Sequence, residues 1–172
     1  ESATEVNIED YLEMIKRKTG VLISISAELG GILGNASESE IESLKTFGFE
    51  LGIAFQIQDD LLDIISEEVV LGKDLGSDLA MGKKTYPIIK FMECAPQTDI
   101  KYINDVLVKG NADEDSVGRI KTLLHNSGVV DQTRSVITGH IDKAVIILNK
   151  NSADLRIDHL VYLSEMIRNR KF

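Results

Sequence analysis

The scarcity of proline is the feature that most constrains how this 172-residue chain folds, because only two prolines interrupt it. Proline breaks helices and marks turns, so such a chain favours long helices over a turn-rich β-sandwich. Apolar residues recur at three- and four-residue spacing along most of the sequence, which is the pattern of amphipathic helices. The sequence therefore predicts an all-α protein, with 43% hydrophobic residues available for its core.

The predicted helices have recognisable ends. Asn7 and an acidic first turn begin a helix that continues to about Leu33, and the capping box Ser37-Glu-Ser-Glu40 begins a second helix that ends near Ser66. The stretch from Glu67 to Tyr86 has no clear period, and unstructured connections of that length are either functional or disordered. Further helices are predicted at about 87–94, 98–110, 113–126, 129–149 and 153–170.

The composition excludes several functional classes. A net charge of −9 argues against nonspecific binding to nucleic acid and against a polybasic membrane anchor. No apolar run reaches the roughly eighteen residues that a membrane-spanning helix requires. Cys94 is the only cysteine, so the sequence has neither an intramolecular disulfide nor a cysteine-type zinc site. The acidic first residues are unlike a signal peptide, and we expect a cytoplasmic protein without a transmembrane segment.

Three aspartates lie close together late in the second predicted helix, in Asp59-Asp60-Leu-Leu-Asp63. Asp59 and Asp63 are four residues apart and share a helix face, whereas Asp60 lies about 100° around the helix from Asp59. Three carboxylates within one turn repel each other, and a divalent cation would remove that repulsion. Oxygen ligands suit Mg²⁺, which shares its coordination shell with water and substrate phosphates. A solvated acidic helix end is the alternative interpretation.

Other residues near the aspartates favour the magnesium interpretation. Lys18 and Thr19 lie on or beside the apolar stripe of the first helix, and Gln56 shares the carboxylate face of the second. The predicted connection contains Gly72-Lys73, Gly76-Ser-Asp78 and Gly82-Lys83-Lys-Thr85. Glycines let the backbone approach a ligand, and lysines supply positive charge for phosphate oxygens. A solvated glycine-rich loop would have the same composition, but together these residues better describe a site for Mg²⁺ and a diphosphate.

In order and spacing, these motifs resemble those of the trans-polyprenyl diphosphate synthases, the family of farnesyl and geranylgeranyl diphosphate synthases. The shared elements are Lys18-Thr19, Phe55-Gln56-x-x-Asp59-Asp60-x-x-Asp63, Gly72-Lys73, Gly76-x-Asp78, Gly82-Lys83-x-Thr85-x-Pro87 and a C-terminal Leu163-Ser-Glu-Met-Ile-Arg-Asn-Arg. The resemblance implies the isoprenoid synthase helical bundle. The family has two aspartate-rich motifs, the first followed by an Arg-Arg pair, whereas this sequence has one Asp-Asp pair and no Arg-Arg pair. Residues 1–172 are therefore expected to form a single helical domain, the C-terminal half of a polyprenyl synthase without its N-terminal half.

The resemblance also implies a site for metal and substrate. Asp59 would ligate a Mg²⁺ ion that bridges to the allylic diphosphate, and Asp60 and Asp63 would ligate the ion or support it through water. The lysines that would bind diphosphate oxygens are Lys18, Lys73 and Lys83. Asp78 would orient a lysine and is counted with the substrate-binding residues.

The activity implied by the resemblance joins an allylic diphosphate to isopentenyl diphosphate after magnesium-assisted ionisation. Three residues would act directly in catalysis: Lys18, Thr19 and Gln56. The lysine would stabilise the leaving diphosphate, and the oxygen dipoles of the other two would steady the allylic cation. The full-length enzyme is expected to be a homodimer. With half of the implied site missing, the isolated chain is expected to be inactive and to expose the apolar stripes of its first two helices.

Two other interpretations are open at this point. The chain could be a non-catalytic or regulatory subunit of a heteromeric prenyl diphosphate synthase, or an unrelated acidic helical protein that binds Mg²⁺ structurally. The complete aspartate motif disfavours the regulatory subunit, because a subunit without catalytic work has no need of buried carboxylates. An aspartate-rich segment encoded upstream of Glu1 would favour the enzyme, whereas the unrelated protein would gain no stability from a diphosphate.

Overall fold

The computed structural model describes residues 6–65, 76–110, 112–150 and 157–170, and every regular element within those ranges is helical. In chain order the elements are α1 (Ile8–Ile15), a π-helical segment (Lys16–Gly20), α2 (Val21–Leu33), α3 (Glu38–Ile65), α4 (Ser77–Ala80), α5 (Tyr86–Met92), α6 (Gln97–Lys109), α7 (Glu114–Asn126), α8 (Val129–Lys150) and α9 (Asp158–Arg168). The predicted all-α class is confirmed for these residues. None of the helices described is both long and apolar enough to cross a membrane.

Capping side chains begin helices where the sequence places them. At the start of α3, the Ser37 amide donates to Glu40 Oε2 at 2.8 Å, and the Glu40 amide lies 3.4 Å from Ser37 Oγ, which is the predicted capping box. At the start of α7, Asp113 accepts a hydrogen bond from the Ser116 amide at 2.8 Å. These side chains satisfy amides that the geometry of a helix leaves without a partner.

The structure corrects the predicted helices in two places. The first one is not uniform, because Lys16–Gly20 is π-helical between α1 and α2. The connection predicted to lack structure contains α4, whose first residues hydrogen-bond with Asp63. Local periodicity could not indicate α4, because a contact with a residue distant in sequence sustains it. The last described helix begins at Asp158, and its predicted start near residue 153 lies outside the described residues.

The described residues form two compact units, each with its own apolar core. The first unit contains the described parts of Glu1–Tyr11 and Asp59–Arg134, and the second contains Leu12–Gln58 and the described part of Ser135–Arg170. In the first unit, α6 packs against α4 and α7, and α5 packs against α7. Its largest fully buried side chains are Leu61, Ile64, Leu79, Ile88, Ile103, Ile120 and Leu124. Those of the second unit are Ile15, Phe47, Leu51, Ile53 and Ile57.

In the second unit, glycines let α3 approach α2 and the π-helical segment at backbone contact. A Cβ atom on Gly48 would lie 2.6 Å from the carbonyl oxygen of Ile23. A Cβ atom on Gly52 would lie 2.9 Å from the Cα of Gly20. Both distances are shorter than van der Waals contact, so the close approach requires glycine at positions 48 and 52.

The expected exposure of apolar stripes is found on α2 but not on α3. The buried residues of α2 are small, Ser24 and Gly31. Ile23 is half-buried, and the other large apolar side chains of α2 are exposed: Val21, Leu22, Ile25, Leu29, Ile32 and Leu33. In α3 the corresponding side chains are buried: Leu44, Phe47, Leu51, Ile53 and Ile57. The prediction for the second helix is therefore wrong, because other elements of the second unit cover α3, including α8, whose His140 contacts Glu50.

Candidate active site

Near its C-terminal end, in the first unit, α3 carries three aspartates that we call the carboxylate cluster: Asp59, Asp60 and Asp63. Asp60 is only 6% exposed, whereas Asp59 and Asp63 are half-buried. This difference follows from the helix, since Asp59 and Asp63 share a face and Asp60 points to another side. The three carboxylates therefore have different environments although they lie close together in sequence.

Asp60 accepts a hydrogen bond from a buried tyrosine. The Tyr11 hydroxyl lies 2.6 Å from Asp60 Oδ2, and the Tyr11 ring meets the Tyr86 ring edge-on, with centroids 5.8 Å apart. Burial, and next the negative charge of Asp60, raise the pKa of Tyr11 far above its usual range, so the hydroxyl remains a donor. A buried carboxylate needs such a donor, because a buried charge without one is strongly destabilising.

Asp63 is hydrogen-bonded to the beginning of α4. Its Oδ1 accepts a hydrogen bond from the Ser77 hydroxyl at 2.8 Å, and its Oδ2 accepts one from the Asp78 amide at 3.0 Å. The backbone carbonyl of Asp63 also accepts a hydrogen bond from the Gly76 amide at 3.0 Å. The end of α3 and the beginning of α4 are thus joined at one residue.

Asp78 contacts Lys83 through both the side chain and the backbone. Lys83 Nζ lies 2.5 Å from Asp78 Oδ1, and the Lys83 amide donates to the Asp78 carbonyl oxygen at 2.9 Å. The hydrogen bond with Asp78 is the main cause of the raised pKa of Lys83, which keeps its ammonium charged. About half of the Lys83 side chain is exposed (52%), so the ammonium can contact an anionic ligand while it pairs with Asp78.

In the second unit, Thr19 and Gln56 form a hydrogen-bonded pair. The Thr19 hydroxyl donates to Gln56 Oε1 at 2.8 Å. The contact between Gly20 and Gly52 brings these side chains together, since Thr19 precedes one glycine and Gln56 lies one turn after the other. Thr19 belongs to the π-helical segment, and single π-helical turns are frequent at functional sites. The neighbouring Lys18 is exposed.

The structure therefore groups most of the predicted site residues into two sets. In the first unit the set consists of Asp59, Asp60, Asp63, Asp78 and Lys83. In the second unit it consists of Lys18, Thr19 and Gln56. Lys73, a predicted diphosphate ligand, lies outside the described residues.

Two residues of the site were not identified from the sequence. Tyr11 has the spacing of the apolar stripe, so nothing in the pattern indicates that its hydroxyl reaches Asp60. Ser77 follows a glycine and precedes an aspartate, which is typical of a helix start. That signal could have predicted α4, but not that Ser77 would donate to Asp63.

A metal ion can be held by these residues only with help from other ligands. Within the part of the chain that the structure describes, no three His, Cys, Asp or Glu side chains converge closely enough to hold an ion. Mg²⁺ does not require such a group, because it commonly binds through one or two carboxylates, substrate phosphates and water. The half-buried Asp59 is a hard oxygen ligand of that kind. The donor set therefore fits a Mg²⁺ ion that a bound diphosphate helps to hold.

Comparison with known proteins establishes the family. The polyprenyl synthetase family model matches residues 1–124. The chain belongs to the polyprenyl synthetase family. A short chain isoprenyl diphosphate synthase from Methanothermobacter thermautotrophicus is 37% identical over 144 residues, which are 84% of this chain and 44% of that protein.

Solved structures of similar proteins share the fold of this polyprenyl synthetase chain. A geranylgeranyl pyrophosphate synthetase from Pyrococcus horikoshii matches with a TM-score of 0.85 at 37% identity, covering 96% of this chain and 50% of that one. A polyprenyl synthase from Caulobacter crescentus, complexed with calcium and isoprenyl diphosphate, matches with a TM-score of 0.88 at 27% identity, covering 97% of this chain and 51% of that one. The chain spans about half the length of these proteins. The helical fold implied by the sequence motifs is confirmed.

Proposed function

We propose that this chain is part of a prenyltransferase that condenses an allylic diphosphate with isopentenyl diphosphate with the assistance of Mg²⁺. The observation that supports this most directly is the connection from Asp63 through Asp78 to Lys83, which joins the carboxylate cluster to a lysine within one compact unit. A diphosphate bound with Mg²⁺ needs both partners, because carboxylates attract the cation and a lysine attracts the phosphate oxygens. The relatives are named for isoprenyl diphosphates, which supports this class of substrate.

The reaction breaks the bond between the allylic carbon and the diphosphate oxygen, which leaves an allylic cation and a free diphosphate. The double bond of isopentenyl diphosphate then forms the new carbon–carbon bond, and a proton is lost to the departing diphosphate. A bound Mg²⁺ would supply positive charge that stabilises the leaving diphosphate. Lys18 and Lys83 would bind its oxygens, and Lys73 is proposed for the same role from the sequence alone.

The Thr19 and Gln56 pair would stabilise the allylic cation. The Thr19 oxygen donates its proton to Gln56 Oε1, so the lone pairs of that hydroxyl can face a positive charge. Fixed dipoles in a water-excluded site stabilise a developing charge without having to reorient. Of the three aspartates, Asp59 would ligate Mg²⁺ directly, and Asp60 and Asp63 would ligate it or support it through water.

A binding experiment on residues 1–172 tests the site. Mg²⁺ with inorganic diphosphate should raise the thermal midpoint of the wild-type chain, because a ligand that binds the folded state stabilises it. Asp59→Ala should abolish this shift while leaving the midpoint in EDTA unchanged or slightly higher, since one of three mutually repelling carboxylates is removed. Asp105→Ala, which removes an exposed aspartate of α6, is the matched control and should keep the shift.

The outcome that contradicts the proposed function is a wild-type midpoint that Mg²⁺ and diphosphate do not change. That result would favour a structural role for the carboxylates.

We further propose that residues 1–172 form one domain corresponding to the C-terminal half of a synthase, and that the complete enzyme is a cytoplasmic homodimer. The isolated chain would then form no product from isopentenyl diphosphate and dimethylallyl, geranyl or farnesyl diphosphate. Measurable transfer by the purified chain would contradict this.

A further inference from the structure

Asp63 is hydrogen-bonded to the beginning of α4 through both of its carboxylate oxygens. Its two carboxylate oxygens accept hydrogen bonds from Ser77 and Asp78, which lie 14 and 15 residues farther along the chain. With the bond from the Gly76 amide to its carbonyl oxygen, Asp63 contacts three consecutive residues. A carboxylate that accepts from two fixed donors is oriented by those donors, so its direction is set without a metal ion.

The backbone at Gly76 leaves little freedom for a different arrangement. Gly76 has a φ of +72°, a left-handed conformation that residues with a side chain rarely adopt. A Cβ atom at this position would also lie 2.9 Å from Cγ2 of Val117 on α7. The chain therefore enters α4 at one fixed angle, and the carboxylate of Asp63 satisfies the Asp78 amide at that point.

The same connection continues to Lys83. Asp78 accepts from the Lys83 ammonium with its side chain and from the Lys83 amide with its carbonyl oxygen. Between them, Gly82 has a φ of +69°, and a Cβ atom there would lie 2.7 Å from the carbonyl oxygen of Leu107. The turn that presents Lys83 is thus held at one end by Asp63 and Asp78, and at Gly82 by close contact with α6.

We propose that Asp63 is a positioning residue for Lys83, which it holds through Ser77 and Asp78. This inference rests on the proposed function, in which the Lys83 ammonium binds a diphosphate. In this role the hydrogen-bonding geometry of Asp63 matters more than its negative charge. Lone pairs remain on both carboxylate oxygens of Asp63 and can accept from a metal-bound water. Asp63 is nevertheless required to position Lys83 even when no metal ion contacts it.

Two substitutions of Asp63 separate positioning from metal ligation. The amide side chain in Asp63→Asn can accept from the Asp78 amide with its oxygen and donate to the Ser77 hydroxyl with its nitrogen, whereas the methyl group in Asp63→Ala can do neither. Amide hydrogen exchange should therefore be about tenfold faster at Asp78 and Lys83 in Asp63→Ala and close to wild type in Asp63→Asn. Calorimetric titration of inorganic diphosphate in Mg²⁺ should show affinity about tenfold weaker in Asp63→Ala and within about twofold of wild type in Asp63→Asn.

A matched control removes a similar helix cap from the same unit. Asp113→Ala deletes the carboxylate that accepts from the Ser116 amide at the start of α7, and it should leave the Asp78 and Lys83 amides and the diphosphate affinity unchanged. Because Asp63 acts through Lys83, adding Asp63→Ala to Lys83→Ala should weaken binding by less than about twofold.

The possible failures are distinguishable. Equal loss of diphosphate affinity in Asp63→Asn and Asp63→Ala would mean that the charge of Asp63 is essential, which would overturn the positioning role in favour of metal ligation. Unchanged amide exchange in Asp63→Ala would overturn it regardless of the binding result. A wild-type chain that binds no diphosphate would overturn the proposed function, and the exchange comparison would then decide by itself whether Asp63 holds the turn before Lys83.

Discussion

The helices α2 and α3 both carry many large apolar side chains, but these side chains have opposite relations to their surroundings. In α2 the buried residues are Ser24 and Gly31, and all the leucines and isoleucines except Ile23 are exposed. In α3 the glycines make backbone contact with α2 and the π-helical segment, and the large apolar side chains fill the core. An apolar stripe therefore does not by itself show which side of a helix faces the core, because small residues can pack more closely than large ones.

The difference also bears on the candidate site. The close backbone approach of Gly20, which directly precedes α2, to Gly52 of α3 brings Thr19 to within hydrogen-bond distance of Gln56. The large-residue side of α2 exposes more apolar surface than scattered single side chains would, which is typical of a surface that another element covers. The helix α2 thus has one side that packs closely against α3 and an opposite, apolar side that has no partner among the described residues of the second unit.

Truncation of leucine should show the largest contrast between the two helices. Leu51→Ala on α3 removes a side chain that is 2% exposed and should lower the free energy of unfolding by about 3–4 kcal/mol. Leu29→Ala on α2, where the side chain is 52% exposed, should cost less than about 1 kcal/mol. Urea unfolding monitored by circular dichroism gives both values, and equal losses would show that Leu29 is buried in solution.

Replacing glycine with alanine should have opposite signs at two positions. Gly48→Ala places a methyl group against the backbone of α2 and should destabilise the fold by about 2–3 kcal/mol. Gly30→Ala, where no atom lies within 4 Å of the added carbon, should stabilise α2 by about 0.5–1 kcal/mol. A thermal midpoint that rises in both variants would contradict the close packing of α2 and α3.

The buried Glu50 on α3 should contribute a smaller, pH-dependent stabilisation. Burial alone would raise its pKa, but hydrogen bonds from His140 and Lys143 hold the pKa below its usual range. The stabilisation is therefore complete above the ordinary glutamate pKa of about 4.3 and is lost as the pH falls below it. Glu50→Gln should lower the free energy of unfolding by about 1–2 kcal/mol at pH 7. The loss is no larger because the exposed Lys143 can return to water when its partner is removed.

The pH profile provides the control for this prediction. Unfolding of wild type and Glu50→Gln should be measured in parallel at pH 7 and at pH 3. The difference in stability between the two proteins should shrink as the pH falls from 7 to 3, because protonation of Glu50 removes the charge that distinguishes it from glutamine. A difference that is the same at both pH values would mean that packing, rather than charge, accounts for the effect.

Polar substitution of the exposed α2 stripe should have the smallest effect on stability and a clear effect on association. A triple variant should change the free energy of unfolding by less than about 1 kcal/mol, because all three replaced side chains are exposed. It combines Leu22→Gln, Ile25→Gln and Leu29→Gln. Sedimentation velocity should show self-association of the wild-type chain and less of it in the triple variant. A wild-type chain that stays monomeric and binds no hydrophobic dye would show that this stripe needs no cover.

Much of the site was accessible from the sequence because its residues occur in short, ordered motifs. The spacing of Asp59, Asp60 and Asp63 predicted one carboxylate on a different side of the helix, and Asp60 is indeed the buried one. The motif Gly76-Ser-Asp78 was recognised, but its contact with Asp63 was not. The roles assigned to these residues in metal and diphosphate binding remain predictions.

By itself, the sequence determined the helical class, the capped ends of several helices and the motifs that place the chain in the polyprenyl synthetase family. The helical class and the caps depend on interactions between residues three or four apart, which the linear order records directly, and the motifs are read from residue identity and order alone. The tertiary structure decided that the apolar side chains of α3 fill the core, that α2 exposes most of its large apolar side chains, and that Tyr11 donates to Asp60 across 49 residues of sequence. Such contacts depend on how closely helices approach, and at Gly48 and Gly52 that distance is set by a missing Cβ atom and not by any period in the sequence.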